Sequence, residues 1–258
     1  KKAITPKTKA IVPVHLFGRA ANMEAIMAIA KEHNLYVIED NAQAIGANCK
    51  FSDGSKKKAG TIGHVGATSF FPSKNLGCYG DGGAIFTNDD ALAHKLRGIV
   101  NHGMYERYHH DVVGVNSRLD SIQAAVLNAK LPLLDQYNAA RQNAARKYTA
   151  AFEGHKNIIA PSICEICDCH VFHQYVLRIL DADRDALMQH LLNKGIPCAI
   201  YYPIPLHSQK AYLDSRYKEE DFPVTNQLVK EVIALPMHTE LDDEQIKFIT
   251  DSVLEFLK

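Results

Sequence analysis

Short apolar runs alternate with stretches of helical periodicity through the first hundred residues, and few folds accommodate that order. "KAIVPVHL" (9–16) is followed by a glycine and then by "NMEAIMAIAKEHN", where Met23, Ile26, Met27 and Ala30 recur at helical spacing. "LYVIED" (35–40), "GATSFF" (66–71) and "GGAIFTN" (82–88) are further strand-like runs bounded by polar residues or glycine. "DDALAHKLRGIVNHG" then opens with acidic residues and reaches Gly103 near its end, a helix signature. Strands alternating with helices predict an α/β layer with a mostly parallel sheet. In such sheets ligands sit beyond the carboxyl ends of the strands. A first strand as apolar as 9–16 is expected mid-sheet, and with nothing before it to cover it, the chain reads as the C-terminal part of something longer.

From Leu119 the texture changes. An alanine- and leucine-rich stretch runs to about residue 152, with a bend or break expected at Pro132. A strand (171–180), a helix (184–195), a second strand "IPCAIYY" (196–202) and a last amphipathic helix from about Asp242 follow. This predicts a small α+β C-terminal domain over 135–258, after a large domain occupying 1–134.

The 258 residues carry 29 basic and 29 acidic side chains, a balance that argues against nucleic acid or an anionic membrane as the main partner. Lys56-Lys57-Lys58 reads as a solvated loop. No apolar stretch approaches the ~18–20 residues that span a bilayer, and the start lacks a signal-peptide apolar region. Six cysteines in a helix-rich chain read as the reduced thiols of a cytoplasmic protein.

Two strand ends carry residues with chemistry. Asp40 closes "VIED", where a carboxylate either caps a turn, binds a metal, acts as a base or pairs with a cationic ring. Gln43, three residues on, sits beside it if a turn begins there. Lys74 in "SFFPSKNLGCYGDGGA" (69–84) is either a surface charge or an amine desolvated enough to react. Ser69 and the glycine-rich turn at 80–83 add donors of the kind that cradle phosphate, without matching a Walker pattern. His15, Tyr201, Tyr202 and His207 are further polar candidates, His15 being either a buried, satisfied histidine or a ligand contact. Cys164, Cys167, Cys169 and His170 could ligate zinc, but their spacing is cramped and no second cysteine pair exists, so they read as loop thiols and no metal is expected.

With "GVNSRLDSIQAAVL" downstream, the segments "AIVPVHLFG", "VIEDNAQAIGA", "TSFFPSKNLGCYGDGGAIFTND", "HVFHQYVLRI" and "YYPIPLH" resemble the DegT/DnrJ/EryC1/StrS family of pyridoxal-phosphate-dependent sugar aminotransferases. The resemblance spans nearly the whole chain. It implies the fold-type-I transferase architecture, with roughly a hundred N-terminal residues of the large domain lacking, among them a phosphate-binding Gly-Thr turn and a ring-stacking aromatic. Lys74 would hold the cofactor covalently and shuttle protons. Asp40 would pair with the pyridinium nitrogen, Gln43 would contact the ring's 3-oxygen, and Ser69 would donate to the phosphate. Asn116 would reach the phosphate of the neighbouring subunit, so the active unit would be a homodimer. Arg118, His15, Tyr202 and His207 would face the substrate. The implied reaction moves an amino group from glutamate to a UDP- or dTDP-linked keto-sugar, with a 3-keto position suggested by the "RYHHDVV" and "HVFHQY" segments. The competing readings are a sugar dehydratase of the same fold, whose members typically carry His where this chain has Lys74, and a non-catalytic binding or regulatory protein.

Overall fold

The computed structural model describes residues 1–163 and 169–258. Two compact units make up the chain. The first comprises Lys1–Ala139 and, among the described residues, 169–173; the second comprises Ala140–Ile163 and Gln174–Lys258.

The first unit is built on β1 (Ala10–Ile11), α1 (Met23–Glu32), β2 (Tyr36–Asp40), β3 (Asn48–Lys50), β4 (Lys56–Lys58), β5 (Val65–Ser69), β6 (Gly83–Phe86), α2 (Asp90–Val100), the hairpin strands β7 (Met104–Glu106) and β8 (His109–His110), and α3 (Ser121–Lys130). Its principal sheet has the order β1-β2-β5-β6, in which β1, β2 and β5 run parallel and β6 returns antiparallel to β5. Asp40 lies opposite Ala67, and Ser69 opposite Gly83. Lys56–Lys58 is a fully exposed strand rather than a loop, paired with β3.

Helix α1 starts where Asn22 accepts from the Ala25 amide, and α2 where Asp89 accepts from that of Leu92. Val37, Met23, Ala30, Leu35 and Ala47 form the core between α1 and β2. Burying one such side chain is worth about 1.5–3 kcal/mol. Phe70, Leu76, Cys78, Leu127 and Leu134 form a second cluster, which seats the segment around Lys74 against α3 and the start of α4 (Leu134–Phe152). A single 3-10 turn at Leu131–Leu133 separates these helices, because Pro132 offers no amide to carry the helical ladder through.

Two further expectations from the sequence differ from the structure. Residues 9–16 do not form one mid-sheet strand. β1 stops at Ile11, Pro13 has no amide proton to donate, and Val14 touches β2 only through a single bridge to Asp40. Within the described sheet β1 is outermost, and Val12 and Val14 are exposed.

The second unit contains the rest of α4, β9 (Ile158–Ile159), β10 (Tyr175–Ile179), α5 (Arg184–Asn193), α6 (Pro223–Glu231), β11 (Val232–Leu235) and α7 (Asp243–Phe256). Its antiparallel sheet has the order β11-β10-β9, with α5 packed against α7. Leu177, Leu187, Leu191, Ile233 and Val253 are fully buried there. The Tyr148 hydroxyl donates to Pro236 O at 3.0 Å, and buried Arg184 donates to Val232 O at 2.6 Å. Asp242 caps α7 with a reciprocal bond to Gln245. The second correction falls here: 196–202 is not a strand, and its contact with the sheet is one bridge, Ala199 to Ala234, in a run punctuated by Pro197 and Pro203.

Candidate active site

Asp40 and Ser69 sit at the carboxyl ends of the neighbouring parallel strands β2 and β5. The Asp40 backbone is held from both sides. Its amide donates to Pro13 O at 2.9 Å, and its carbonyl accepts from the His15 amide at 3.0 Å. One carboxylate oxygen accepts from the Ala42 amide at 3.0 Å. The second oxygen accepts no hydrogen bond among the described residues.

After Ser69 the chain folds tightly around Lys74. The Phe71 amide donates to Ser69 Oγ at 3.2 Å, and the Lys74 amide to Phe71 O at 2.9 Å. A Cβ at Gly77 would lie 2.4 Å from Pro72 O, so only glycine closes this loop. Lys130 Nζ donates to Gly77 O at 2.7 Å from α3. The neighbours Asn75, Leu76 and Cys78 are buried while Lys74 is half-buried. Burial pushes the Lys74 amine below the usual lysine value, and the nearby Asp40 carboxylate pulls the other way. Burial wins, which favours the unprotonated amine that a nucleophile requires.

Gln43 is fixed by its Oε1, which accepts from the Phe17 amide at 2.5 Å. Asn116 and Arg118 lie on an exposed segment of the same unit, joined to α2 by the bridge between Asn101 and Asn116 and by a 2.7 Å bond from Arg118 to Asn101. Both line a cavity of about 960 Å³ that runs over Ala67, Gly83 and Ile85. That lining includes neither Asp40 nor Lys74: Asp40 and Ser69 end neighbouring strands, Lys74 follows in the loop after Ser69 within electrostatic reach of Asp40, and Asn116 and Arg118 lie along the cavity over the adjacent sheet.

His15 is corrected from its expected place on the substrate side. It is completely buried, its Nε2 lies 2.9 Å from Glu39 Oε2, and its Nδ1 accepts from the Ala21 amide at 3.0 Å. Both ring nitrogens are committed inside the protein, which leaves none for a ligand. Glu39, missed in the sequence, also accepts from the amides of Gly60, Ile62 and Gly63 at 2.6–2.7 Å. Strand alternation was the available signal: Val37 and Glu39 share one face of β2, so a carboxylate falls on the core side.

In the second unit His207 stacks on Phe222, with ring centroids 4.3 Å apart, and its buried Nε2 lacks a hydrogen-bond partner among the described residues. It lines a cavity of about 610 Å³ with Tyr212, Arg216 and Tyr217. Tyr202 is exposed and meets Tyr201 edge-on. Of the cysteine-rich segment, Cys164 and Cys167 lie outside the described residues; Cys169 and His170 are buried in the first unit.

The donor set at the strand ends suits pyridoxal phosphate: a desolvated amine, a carboxylate with one uncommitted oxygen, and a hydroxyl beside glycine-rich backbone. Comparison with known proteins gives the same direction. The DegT/DnrJ/EryC1/StrS aminotransferase family matches residues 1–254. A protein of Geobacillus stearothermophilus called a pleiotropic regulatory protein is 47% identical over 99% of this chain and 67% of its own. The UDP-N-acetyl-3-dehydro-alpha-D-glucosamine 3-aminotransferase of Acidithiobacillus ferrooxidans is 48% identical over 95% of this chain and 63% of its own. The crystal structure of Streptomyces venezuelae DesV with a ketimine intermediate superposes with a TM-score of 0.92 at 39% identity, covering 100% of this chain and 67% of that one. The chain thus spans about two thirds of the length of the relatives it matches.

Proposed function

We propose, from the premise that this chain belongs to the DegT/DnrJ/EryC1/StrS aminotransferase family, that it carries the core of a transaminase using pyridoxal 5′-phosphate to move an amino group from glutamate to a nucleotide-linked keto-sugar. The observation that carries this reading is the placement of Lys74 and Asp40 beyond the ends of adjacent strands, with the amine partly desolvated.

When bound, the cofactor supplies an electron sink for the carbon that loses its proton. Lys74 Nζ is the atom able to carry the covalent attachment and, once released, to take up and return that proton. Asp40 offers its uncommitted oxygen to a protonated ring nitrogen. Ser69 Oγ would donate to the phosphate group, and Gln43, in the turn after β2, would contact the ring oxygen. The apolar cluster under the Lys74 loop keeps that amine from full hydration.

The substrate-side residues are Arg118 in the first unit and Tyr202 and His207 in the second. The unpartnered His207 nitrogen, in an aromatic-lined cavity, supports contact with the sugar nucleotide. The names of relatives, a UDP-sugar 3-aminotransferase and a dTDP-3-amino-sugar transaminase of Streptomyces venezuelae, support UDP- or dTDP-linked 3-keto sugars as the class. In a homodimer Asn116 serves the neighbour's phosphate site, a reading supported by its exposed segment and the adjoining exposed Val113, Val115 and Ile122. No helix among the described residues is long and apolar enough to cross a membrane, which accords with a cytoplasmic site of action.

The deciding experiment adds pyridoxal phosphate and borohydride, then maps the labelled lysine. Labelling at Lys74, lost in Lys74→Ala, supports the reading; no visible absorbance band and no trapped cofactor overturn it. Transfer of nitrogen from labelled glutamate to a keto-sugar separates transamination from dehydration.

A further inference from the structure

We propose that His15 and Glu39 are positioning residues for Asp40: a buried carboxylate–imidazole brace that fixes the backbone presenting the Asp40 side chain at the end of β2. The inference rests on the cofactor reading above for its functional meaning, and on geometry alone for its structural one.

Glu39 and Asp40 are consecutive, so they face opposite sides of the sheet. Glu39 points into the core, where an apolar side chain would have satisfied packing and avoided the desolvation of a carboxylate. Instead its two oxygens gather donors from two other parts of the chain. Gly60, Ile62 and Gly63 belong to the turn that leads into β5, the strand ending at Ser69. His15 belongs to the segment beside β2 on the other side. Burial by itself would raise the carboxyl, but the bonds from His15 and from the Gly63, Gly60 and Ile62 amides together outweigh it and hold Glu39 below the usual glutamic acid value, which favours the accepting carboxylate.

The His15 tautomer follows from its partners. An amide can only donate, so Nδ1, which receives the Ala21 N–H, carries no proton. The ring proton therefore sits on Nε2 and is donated to Glu39. With the ring held at both nitrogens, the backbone of 13–15 is set relative to β2. That same backbone makes both main-chain bonds to Asp40, from its amide to Pro13 O and to its carbonyl from the His15 amide. Apolar contacts tolerate sliding along a strand, whereas these directional bonds of 2.6–3.0 Å do not. The brace thus ties three backbone segments together at the height of Asp40.

The test compares the full chain with His15→Phe, which keeps a ring but loses both bonds, and with Glu39→Gln, which puts an amide donor against other donors. Val37→Ala, a truncation two residues earlier on the same inward face, is the control for a generic loss of stability. Two readouts are taken: amide hydrogen exchange of the ligand-free protein at His15 and Asp40, and retention of pyridoxal phosphate followed by its visible absorbance. The expected result is exchange at these amides at least about tenfold faster in both brace variants than in the control at matched distance below the melting temperature. Cofactor dissociation constants rise by about tenfold or more relative to that control. Exchange no faster than in Val37→Ala, or cofactor held as tightly as in it, overturns the inference. Parent protein that binds no pyridoxal phosphate overturns the functional reading instead, and the exchange measurement still decides the brace.

Discussion

Asn75 donates through Nδ2 to Asn138 Oδ1 at 2.8 Å, so the residue next to Lys74 is bonded to the first turns of α4. The same amide reaches Val171 O at 3.0 Å, and Asn138 in turn donates to Ile45 O at 3.1 Å, just past Gln43. A buried amide pair thereby connects the lysine loop with the turn that follows Asp40. Asn75→Ala strands the Asn138 acceptor and the Val171 carbonyl, with an expected loss of about 1–3 kcal/mol in urea unfolding. A double-mutant cycle with Asn138→Ala should return a coupling of about 0.5–1.5 kcal/mol.

The Lys74 amine titrates below an ordinary lysine because burial disfavours its charged form, while Asp40 partly restores it. Removing the carboxylate removes the opposing effect, so Asp40→Asn lowers the Lys74 value further. Acylation of Lys74 in the ligand-free protein, followed by mass spectrometry across pH, should show a midpoint below the ordinary lysine value of about 10.4, and a lower one still in the variant. A midpoint that rises in Asp40→Asn contradicts this assignment of charges.

Glu39 has a folded-state value below its unfolded one, so its contribution is present above the unfolded value of about 4.3 and is lost as the pH falls through the folded value. Acid unfolding of the parent chain should therefore steepen below about pH 4.3, and Glu39→Gln should flatten that window. At neutral pH the same variant should be less stable by about 3 kcal/mol, because the amide cannot accept from four donors. Equal acid profiles for the two proteins would show that the carboxylate carries no such linkage.

At Gly77 the obstacle is main-chain rather than a flexible side chain, with Pro72 O only 2.4 Å from an added Cβ. Gly77→Ala is expected to cost about 1–3 kcal/mol and to weaken cofactor retention together with stability. Gly54→Ala meets no atom within 4 Å and serves as the contrast for steric cost, its own penalty coming only from the positive φ of 85°.

His207→Ala should raise KM for the keto-sugar nucleotide by about tenfold while the bound-cofactor absorbance stays intact, since His207 belongs to the second unit's aromatic cavity. A fall in cofactor binding with unchanged KM would move His207 away from the substrate role.

Much of the architecture was legible as a one-dimensional pattern. "LYVIED" becomes β2, Asn22 and Asp89 cap the helices they precede, Asp242 caps α7, and Pro132 breaks the long helix where a missing amide must break it. These features depend on neighbours within a few residues, so composition and spacing suffice. Asp40, Ser69 and Lys74 stand out in the sequence because each closes or follows an apolar strand run, and the structure puts Asp40 and Ser69 at the ends of β2 and β5. The 196–202 run shows the limit: its apolar character is strand-like, but pairing needs donors that prolines on either side withhold.

The sequence by itself determined the alternating α/β plan, the strand-end positions of Asp40 and Lys74, and the family motif that joins them. Tertiary structure alone decided the part played by His15. Its ring could have faced a ligand or the core, and the choice rests on Glu39, Ala21 and the turn at 60–63, which lie 6 to 48 residues away along the chain and meet it only on folding. A hydrogen bond depends on position and direction in space, so no spacing along the chain could have shown that His15 and Glu39 would close on each other behind Asp40.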